Sequence, residues 1–442
     1  MGAAGRVHRS ATTMDAAARV ASGTVVVSTA PRNLPGAGTA HARYLGVLAD
    51  LGAKTYLVNV GAPFGIADLA RQGTTYRAPK SIRSDAYPTS DVIGTFAVGE
   101  EMFAVAHSSH INGQRILLLG TYLYPFCVAV LHAASLLTSR GIRPRVVLVP
   151  AGSDIWQIGH QLRETTGLLL RNPSVSARVT YSRRFADEIN RLIDDELSFE
   201  IIPPPIDVDH FRPCDETHRE GVRREFGVNE EDFVIVNCSN MRPVKEIGLT
   251  LTIAKAVSEI VSRQVVLILV GPVTDHLADR LWERNVTVGT EVPQAIDLGN
   301  LRVLLVGLQQ DPRPYLWSAD LAINTSLHDS FNISLAESMA CGLPVLSTDV
   351  VGICGLPGVA DAGLFFPLDG DPLNNLRRES RGLVESVNIS LDRILDWIEP
   401  LLARRPQALE RSEAARVFVR TQLAKTVIGT RWAKLLGDVF EA

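Results

Sequence analysis

No apolar export signal opens this chain. Residues 1–23 are rich in Ala, Gly, Ser and Thr, carry Arg6, Arg9 and Arg19 against a lone Asp15, and contain no hydrophobic run. That composition predicts a disordered tail, with a transit peptide as the alternative. Cysteine is scarce. Cys127, Cys214, Cys238, Cys341 and Cys354 include no C-x-x-C pair and are odd in number. This excludes a disulfide framework and a zinc ribbon and fits a reducing compartment, with the cytoplasm as the expected location. No His and Cys cluster has zinc spacing, so no metal site is expected. An excess of one charge is also missing: 44 Lys+Arg against 48 Asp+Glu leave a net charge of −4, and no general attraction to nucleic acid follows. Positions 36–41 read GAGTAH rather than G-x-G-x-x-G, and there is neither a Walker A lysine nor a G-x-S-x-G elbow. These gaps count against NAD binding, P-loop chemistry and a hydrolase nucleophile of the elbow type.

One uncharged stretch, residues 116–139, is long enough at 24 residues to cross a membrane, but Gly120, Tyr122, Tyr124, Pro125 and His132 interrupt it. A buried strand followed by a helix starting at Pro125 accounts for it, so no transmembrane segment is expected. Peripheral contact with a membrane stays open, although no basic amphipathic helix stands out.

What is present is a globular composition, 46% hydrophobic and 21% charged over 442 residues, enough for two or three domains. Short apolar runs alternate with helical stretches. VVVS (25–28), KTYLVNV (54–60), RILLLG (115–120), RVVLVP (145–150), VTYS (179–182) and SFEIIPPP (198–205) make one series of strands. FVIVNCS (233–239), VVLILVG (265–271), RVLLVG (302–307), DLAINTS (320–326), PVLST (344–348) and GLFFP (363–367) make a second. Helices are expected near 246–262 and 331–341 and from about 382 onward. Pro203, Pro204 and Pro205 separate the two series, a stiff segment that neither a helix nor a central strand accommodates. Nearly continuous apolar strands between helices predict parallel sheets covered on both faces. The fold class is therefore α/β: a disordered tail (1–23), two Rossmann-like domains (24–205 and 206–424) and a C-terminal helix (425–442) packing back on the first. Ligands of such sheets bind beyond the carboxyl ends of the strands, so a cleft across which the two sheets face one another is the expected site.

Four places in that frame could carry chemistry. Ser239-Asn240-Met241-Arg242-Pro243-Val244-Lys245 follows the first strand of the second domain. Arg242 and Lys245, beside exposed helix N–H groups, suit a diphosphate; two solvated loop cations are the plainer alternative. Asp329 and Glu337 stand eight residues apart in SLHDSFNISLAESMACGLP (326–344). On a continuous helix that is about 12 Å, too far for an acid/base pair on one bond but suited to hydroxyls on two parts of an elongated sugar nucleotide. The alternative is an N-cap at Asp329 and an unrelated Glu337. Gly36 and Gly38, at the first strand–helix turn, permit close approach of a ligand, or only a tight turn. Asp154, in AGSD (151–154), lies beyond the carboxyl end of a strand, where it either serves the acceptor or sugar side or caps the next helix. The D-x-D triplets at 207–209 and 369–371 are read as loop carboxylates, not metal ligands.

Together these motifs resemble the retaining glycosyltransferases of family 4, whose fold is GT-B. The resemblance runs from about Thr24 to the C-terminus and is densest over 201–367. Asp329-x7-Glu337 followed by SMACGLPVLSTDVVG is similar to the family's E-x7-E signature, and IPPPIDVDHFRP (202–213) to its inter-domain segment. NMRPVK resembles its donor-phosphate motif, with the R-x-x-K spacing of the enzymes that join N-acetylglucosamine to malate. AGSDI (151–155) resembles their HGTDI, with Ala151 in place of the histidine. The resemblance implies that Arg242 and Lys245 hold the donor diphosphate and stabilise charge on the leaving phosphate. It implies that Glu337 binds the nucleotide ribose, that Asp329 and the backbone of Ser330, Phe331 and Asn332 bind the donor sugar, and that Gly36 and Gly38 admit the donor. The implied reaction moves a hexosyl group (Glc or GlcNAc type) from a nucleotide sugar, UDP-linked, to a small hydroxylated acceptor with retention. No cofactor is required, the nucleotide sugar being a co-substrate. Asp329 is one methylene shorter than the family's glutamate, which bears on the choice of donor sugar. Ala151 and Asp329 motivate the alternative of a non-catalytic sugar-nucleotide-binding protein; a UDP-sugar epimerase is the other.

Overall fold

The computed structural model describes residues 20–30, 37–59, 73–78, 92–159, 161–274, 277, 293–368, 391–403 and 406–441. The chain divides into two compact units, one running up to Pro205 and resuming at Lys425, the other Ile206–Ala424.

In the first unit β1 (Thr24–Thr29), β2 (Lys54–Val58), β3 (Thr75–Arg77), β4 (Arg115–Thr121), β5 (Arg145–Val149), β6 (Ala177–Thr180) and β7 (Glu200–Ile201) form one sheet. Its order is β3-β2-β1-β4-β5-β6-β7, with every pairing parallel. β1 is buried at every position and β4 at all but Arg115, as expected of strands covered on both faces. The covering helices are α1 (Ala37–Asp50), α2 (Val92–Ile111), α3 (Val128–Ser139), α4 (Arg163–Leu170) and α5 (Arg183–Ile193). α3 starts three residues later than Pro125. Between β4 and α3 the chain makes an irregular turn, Leu123–Cys127, with a cis Tyr124–Pro125 peptide. The reason is local: Tyr122 has φ 76° and the Leu123 N–H is drawn to Asp154 Oδ2 at 2.8 Å, so the backbone cannot enter a helix there. The stretch 116–139 is thus strand, turn and helix, and among the described residues no helix is long and apolar enough to cross a membrane.

The second unit repeats the plan with β8 (Phe233–Cys238), β9 (Val265–Val270), β10 (Gln294–Leu298), β11 (Leu301–Gly307), β12 (Leu321–Asn324), β13 (Val345–Thr348) and β14 (Gly363–Phe366). The order is β10-β11-β9-β8-β12-β13-β14, parallel except that the edge strand β10 runs antiparallel to β11. Its helices are α6 (Glu216–Glu225), α7 (Ile247–Ile260), α8 (Arg313–Ser318), α9 (Ile333–Ala340), α10 (Leu391–Leu402) and α11 (Pro406–Gln422). The core joins one face of β8, β9 and β11 to α7 and α10 through Ile235, Leu267, Val303, Ile253 and Ile398. Behind it, Arg223 of α6 is nearly sealed from solvent and donates to the carbonyls of Ser318, Asn229, Glu230 and Asp232 and to Asp320 Oδ2 at 2.8 Å. The same Asp320 oxygen accepts the Val234 N–H at 2.8 Å, which fixes the start of β8. The unit closes on itself where the Ile206 N–H donates to the Leu423 carbonyl at 2.8 Å.

The last helix, α12 (Lys425–Glu441), belongs to the first unit. It buries Ile428, Trp432, Leu435 and Leu436. The Trp432 ring meets Tyr44 of α1 edge-on at 5.0 Å, and Lys425 Nζ lies 2.5 Å from Asp50 at the end of α1.

Candidate functional site

Each sheet has one point where the winding reverses. In the second unit it lies between β8 and β12, because the chain builds β9 on one side of β8 and then crosses to the other. Loops leaving the carboxyl ends of two such strands diverge and leave room for a ligand. Here those loops are 239–246 and 325–332, and they hold most of the residues singled out from the sequence.

The first loop is shaped by backbone constraints. Met241 and Glu246 both have positive φ, 42° and 40°. A Cβ on Gly271, at the end of β9, would stand 1.7 Å from the Ser239 carbonyl oxygen, so only glycine lets the two strand ends come this close. Pro243–Lys245 make a single 3-10 turn with Arg242 at its N-cap position. Arg242 is exposed. Lys245 is half-buried, and its Nζ lies 2.5 Å from Asp329 Oδ2.

Asp329 is not the helix cap. Its Oδ1 accepts the Phe331 N–H at 3.1 Å and its carbonyl accepts the Gly352 N–H at 2.9 Å, so it braces the loop while facing Lys245. The N-cap of α9 is Asn332, at φ 77°, whose Oδ1 accepts the Leu335 N–H at 3.0 Å. Because α9 begins only at Ile333, Asp329 and Glu337 do not share a helix, and the 12 Å helical spacing does not apply. Phe331 and Ser330 are buried behind the loop. Ser334 Oγ donates to the Cys238 carbonyl at 2.7 Å, which seats the start of α9 against the end of β8. Glu337 is buried on α9. Burial first, and then the Glu337 carboxylate, push the thiols of Cys238 and Cys341 well above their ordinary range, so neither is a nucleophile at neutral pH. Among the described residues Ser239 Oγ, Asn240 Oδ1, Ser326 Oγ and Asn332 Nδ2 are buried at this edge without a hydrogen-bond partner. Such groups cost about 1–3 kcal/mol each, and their grouping marks a place completed by a polar ligand or water.

In the first unit the reversal lies between β1 and β4. Gly36 lies outside the described residues, and Gly38 sits in the first turn of α1. His41, one turn on, is fully buried and bonds through Nδ1 to Thr121 Oγ1 at 2.8 Å; burial lowers its pKa to about 3, so the ring is neutral. Asp154 is fully buried. Its carboxylate accepts the N–H groups of Leu123 (2.8 Å), Ala151 (3.1 Å) and Gly152 (2.7 Å). It clamps the loops after β4 and β5 and caps no regular helix. Burial raises its pKa to about 6 against the opposing pull of those amides. Beside the clamp stand Tyr122 Oη and Ser153 Oγ, 2.9 Å apart, the tyrosine buried and the serine half-buried, a pair with no signature in the sequence. Of the D-x-D triplets, Asp207 Oδ1 takes the amides of Asp209 and His210 at 3.1 and 2.9 Å, an ordinary turn, and 369–371 lies outside the described residues.

Comparison with known proteins agrees with this topology. Residues 232–374 match the family described as Glycosyl transferases group 1. The chain is 24% identical over 310 residues to the N-acetyl-alpha-D-glucosaminyl L-malate synthase of Bacillus anthracis, covering 69% of this chain and 74% of that one. It is 28% identical over 191 residues to the D-inositol 3-phosphate glycosyltransferase of Mycobacteroides abscessus, covering 41% of this chain and 39% of that one. Among solved structures, a glycosyltransferase from Rickettsia africae superposes with a TM-score of 0.67 at 13% identity over 95% of this chain and 99% of that one. Anabaena HepE in complex with UDP superposes with a TM-score of 0.64 at 13% identity, over 94% and 99%. The fold is GT-B, and the chain is a glycosyltransferase carrying a group 1 domain in its second unit.

Proposed function

We propose that this glycosyltransferase is of the retaining, family 4 type and moves a hexosyl group, Glc or GlcNAc, from a UDP-linked sugar to a small hydroxylated acceptor. The observation that carries this reading is the pairing of Lys245 with Asp329 at the switch point of the second sheet, beside an exposed Arg242. Breaking a glycosyl–phosphate bond builds negative charge on the departing diphosphate, and fixed cations at that place lower the barrier. Arg242 and Lys245 would take that charge, Lys245 exchanging Asp329 for a phosphate oxygen. Asp329, with the backbone of Ser330, Phe331 and Asn332, would then face the donor sugar, and Glu337 the ribose. The leaving phosphate would accept the proton of the acceptor hydroxyl as the new bond forms on the same face of the sugar. The acceptor or sugar side is given to Asp154, which positions the Tyr122–Ser153 pair in the first unit, while Gly36 and Gly38 would let the first loop approach the donor. A reducing, cytoplasmic setting fits a chain with five cysteines and no C-x-x-C pair.

The test is release of UDP from a panel of UDP-sugars. It is run with and without pooled organic acids, cyclitols and sugar phosphates, malate and inositol 3-phosphate included because two relatives are named for them. Acceptor-dependent release is expected, falling about 10²–10³-fold in Arg242→Ala and Lys245→Ala, with the product anomer of the same configuration as the donor by NMR. EDTA should leave the rate unchanged, since side-chain cations meet the charge. Donor binding without release on any acceptor would favour a binding protein, motivated by Ala151. Interconversion of UDP-sugars without an acceptor would favour an epimerase.

A further inference from the structure

Beneath the cationic loop runs a buried line of polar side chains. Asn237 Nδ2 lies 3.1 Å from Thr250 Oγ1, and Thr250 Oγ1 lies 2.7 Å from Thr325 Oγ1. Thr325 Oγ1 in turn lies 3.1 Å from the Lys245 carbonyl and 2.9 Å from the Glu246 carbonyl. All three side chains are essentially sealed from solvent, at 1%, 0% and 0% exposure, and they come from β8, α7 and the end of β12. Proton counting fixes the direction of every bond. A carbonyl only accepts, so Thr325 must spend its single proton on the loop carbonyls. The 2.7 Å contact then requires Thr250 as donor, and the 3.1 Å contact requires the Asn237 amide as donor. The line runs one way, from the central strand of the sheet to the loop.

Its end point is the strained residue. Glu246 has φ 40°, a conformation that costs a non-glycine residue energy and persists only where its surroundings over-determine it. The two carbonyls that Thr325 holds belong to the peptide planes on either side of the Glu246 Cα. One hydroxyl therefore fixes the angle between those planes, and with it the direction in which the preceding residue, Lys245, leaves the backbone. The Leu327 N–H, two residues beyond Thr325, donates to the Val244 carbonyl at 2.8 Å and ties the same two loops once more.

We infer that Thr325 is a positioning residue: through the line Asn237–Thr250–Thr325 it holds the Lys245–Glu246 backbone so that the Lys245 ammonium stands where charge develops. This rests on the reading of Lys245 as a leaving-group cation. It does no chemistry on substrate itself. Since a displaced lysine is missed most where charge is greatest, removal of the hydroxyl should lower kcat more than it raises KM.

The experiment compares Thr325→Val, Thr325→Ser and Thr250→Val with the wild type. Thr325→Val should lower kcat at least tenfold with KM changed less than threefold. Thr325→Ser should restore kcat to within twofold, and Thr250→Val, which leaves Thr325 its carbonyls, should cause a smaller loss. Hydrogen exchange gives a readout that needs no donor: the amides of Lys245, Glu246 and Leu249, bonded to Arg242, Pro243 and Glu246 carbonyls, should lose protection in Thr325→Val and regain it in Thr325→Ser. Unchanged kcat and unchanged protection in folded Thr325→Val would overturn the inference, as would a loss that Thr325→Ser does not rescue. If Thr325→Val does not fold, Thr250→Val decides by the same two readouts. A wild type that neither binds UDP nor turns over would instead sink the functional reading, and with it the inferred catalytic effect, while the exchange data would still report whether the line holds the loop.

Discussion

Two buried ionisable side chains in the first unit make opposite predictions. Asp154 has its pKa raised from 3.8 to about 6, so the folded protein holds its proton more tightly than the unfolded chain. Its contribution is full below pH 3.8 and is lost as pH rises through 6, a change of about 3 kcal/mol. His41 has its pKa lowered from 6.5 to about 3, so its contribution is full above 6.5 and is lost as pH falls toward 3. Between pH 4 and 6 the two act against each other, and only differences from single variants separate them. Asp154→Asn should lose stability at every pH, because an amide N–H replaces an acceptor facing backbone N–H groups. Subtracting its urea-unfolding free energy from that of the wild type should leave a difference that shrinks from pH 4 to pH 7. For His41→Gln the difference should grow over the same range. The sequence marked Asp154 by its place after a strand, but the three amides it collects come from two loops about thirty residues apart. That convergence belongs to the tertiary structure and has no local signature. Asn332 as the cap of α9 was hidden for a related reason: the cap sits at φ 77°, whereas pattern reading looks for an extended cap residue such as Asp329.

At the scale of elements, legibility followed periodicity and burial. The central strands β1, β4, β8 and β9 are each built on a continuous apolar stretch (VVV, ILLL, FVIV and VVLILV) and are buried from end to end or nearly so, and each is readable from sequence alone. β10 (QAIDL) and β3 (TYR) are edge strands with mixed exposure and offer no such run. α2 was also silent. Its twenty residues carry small and apolar side chains around the whole circumference, and without a stripe at 3.6-residue spacing nothing distinguishes it from loop. The junction between α6 and the second sheet yields a stability test. Arg223 pairs with Asp320 with almost no solvent at the arginine; without it Asp320 keeps Arg219 at 2.6 Å, but the carbonyls of Ser318, Asn229, Glu230 and Asp232 lose their donor. Arg223→Ala should destabilise the second unit by about 3 kcal/mol, read as a shift in the urea midpoint. Arg302→Ala, whose nearest carboxylate is 4.0 Å away on exposed Asp297, should cost under about 1 kcal/mol.

For the whole molecule the return of the chain matters most. The first unit is incomplete without α12, which buries Trp432 and the aliphatic side chains of Ile428, Leu435, Leu436 and Val439 in it. A large buried aromatic alone is worth about 3–5 kcal/mol, and a domain's total stability is about 5–15 kcal/mol. A chain ending at Ala424 should therefore lose the cooperative unfolding of the first unit while hydrogen-exchange protection of β8, β9 and β12 in the second survives. Loss of protection in both units together would refute their independence. The same arrangement governs the order of events during synthesis. All seven strands of the first sheet are made early, yet the helix that completes their unit leaves the ribosome only after residues 206–424 have been translated. At about 5–20 residues per second that is a delay on the order of 10–40 s. The second unit, continuous in sequence, can fold meanwhile. The residues up to 205 are therefore the last to become native, and until then the Tyr44 face of α1 stays uncovered.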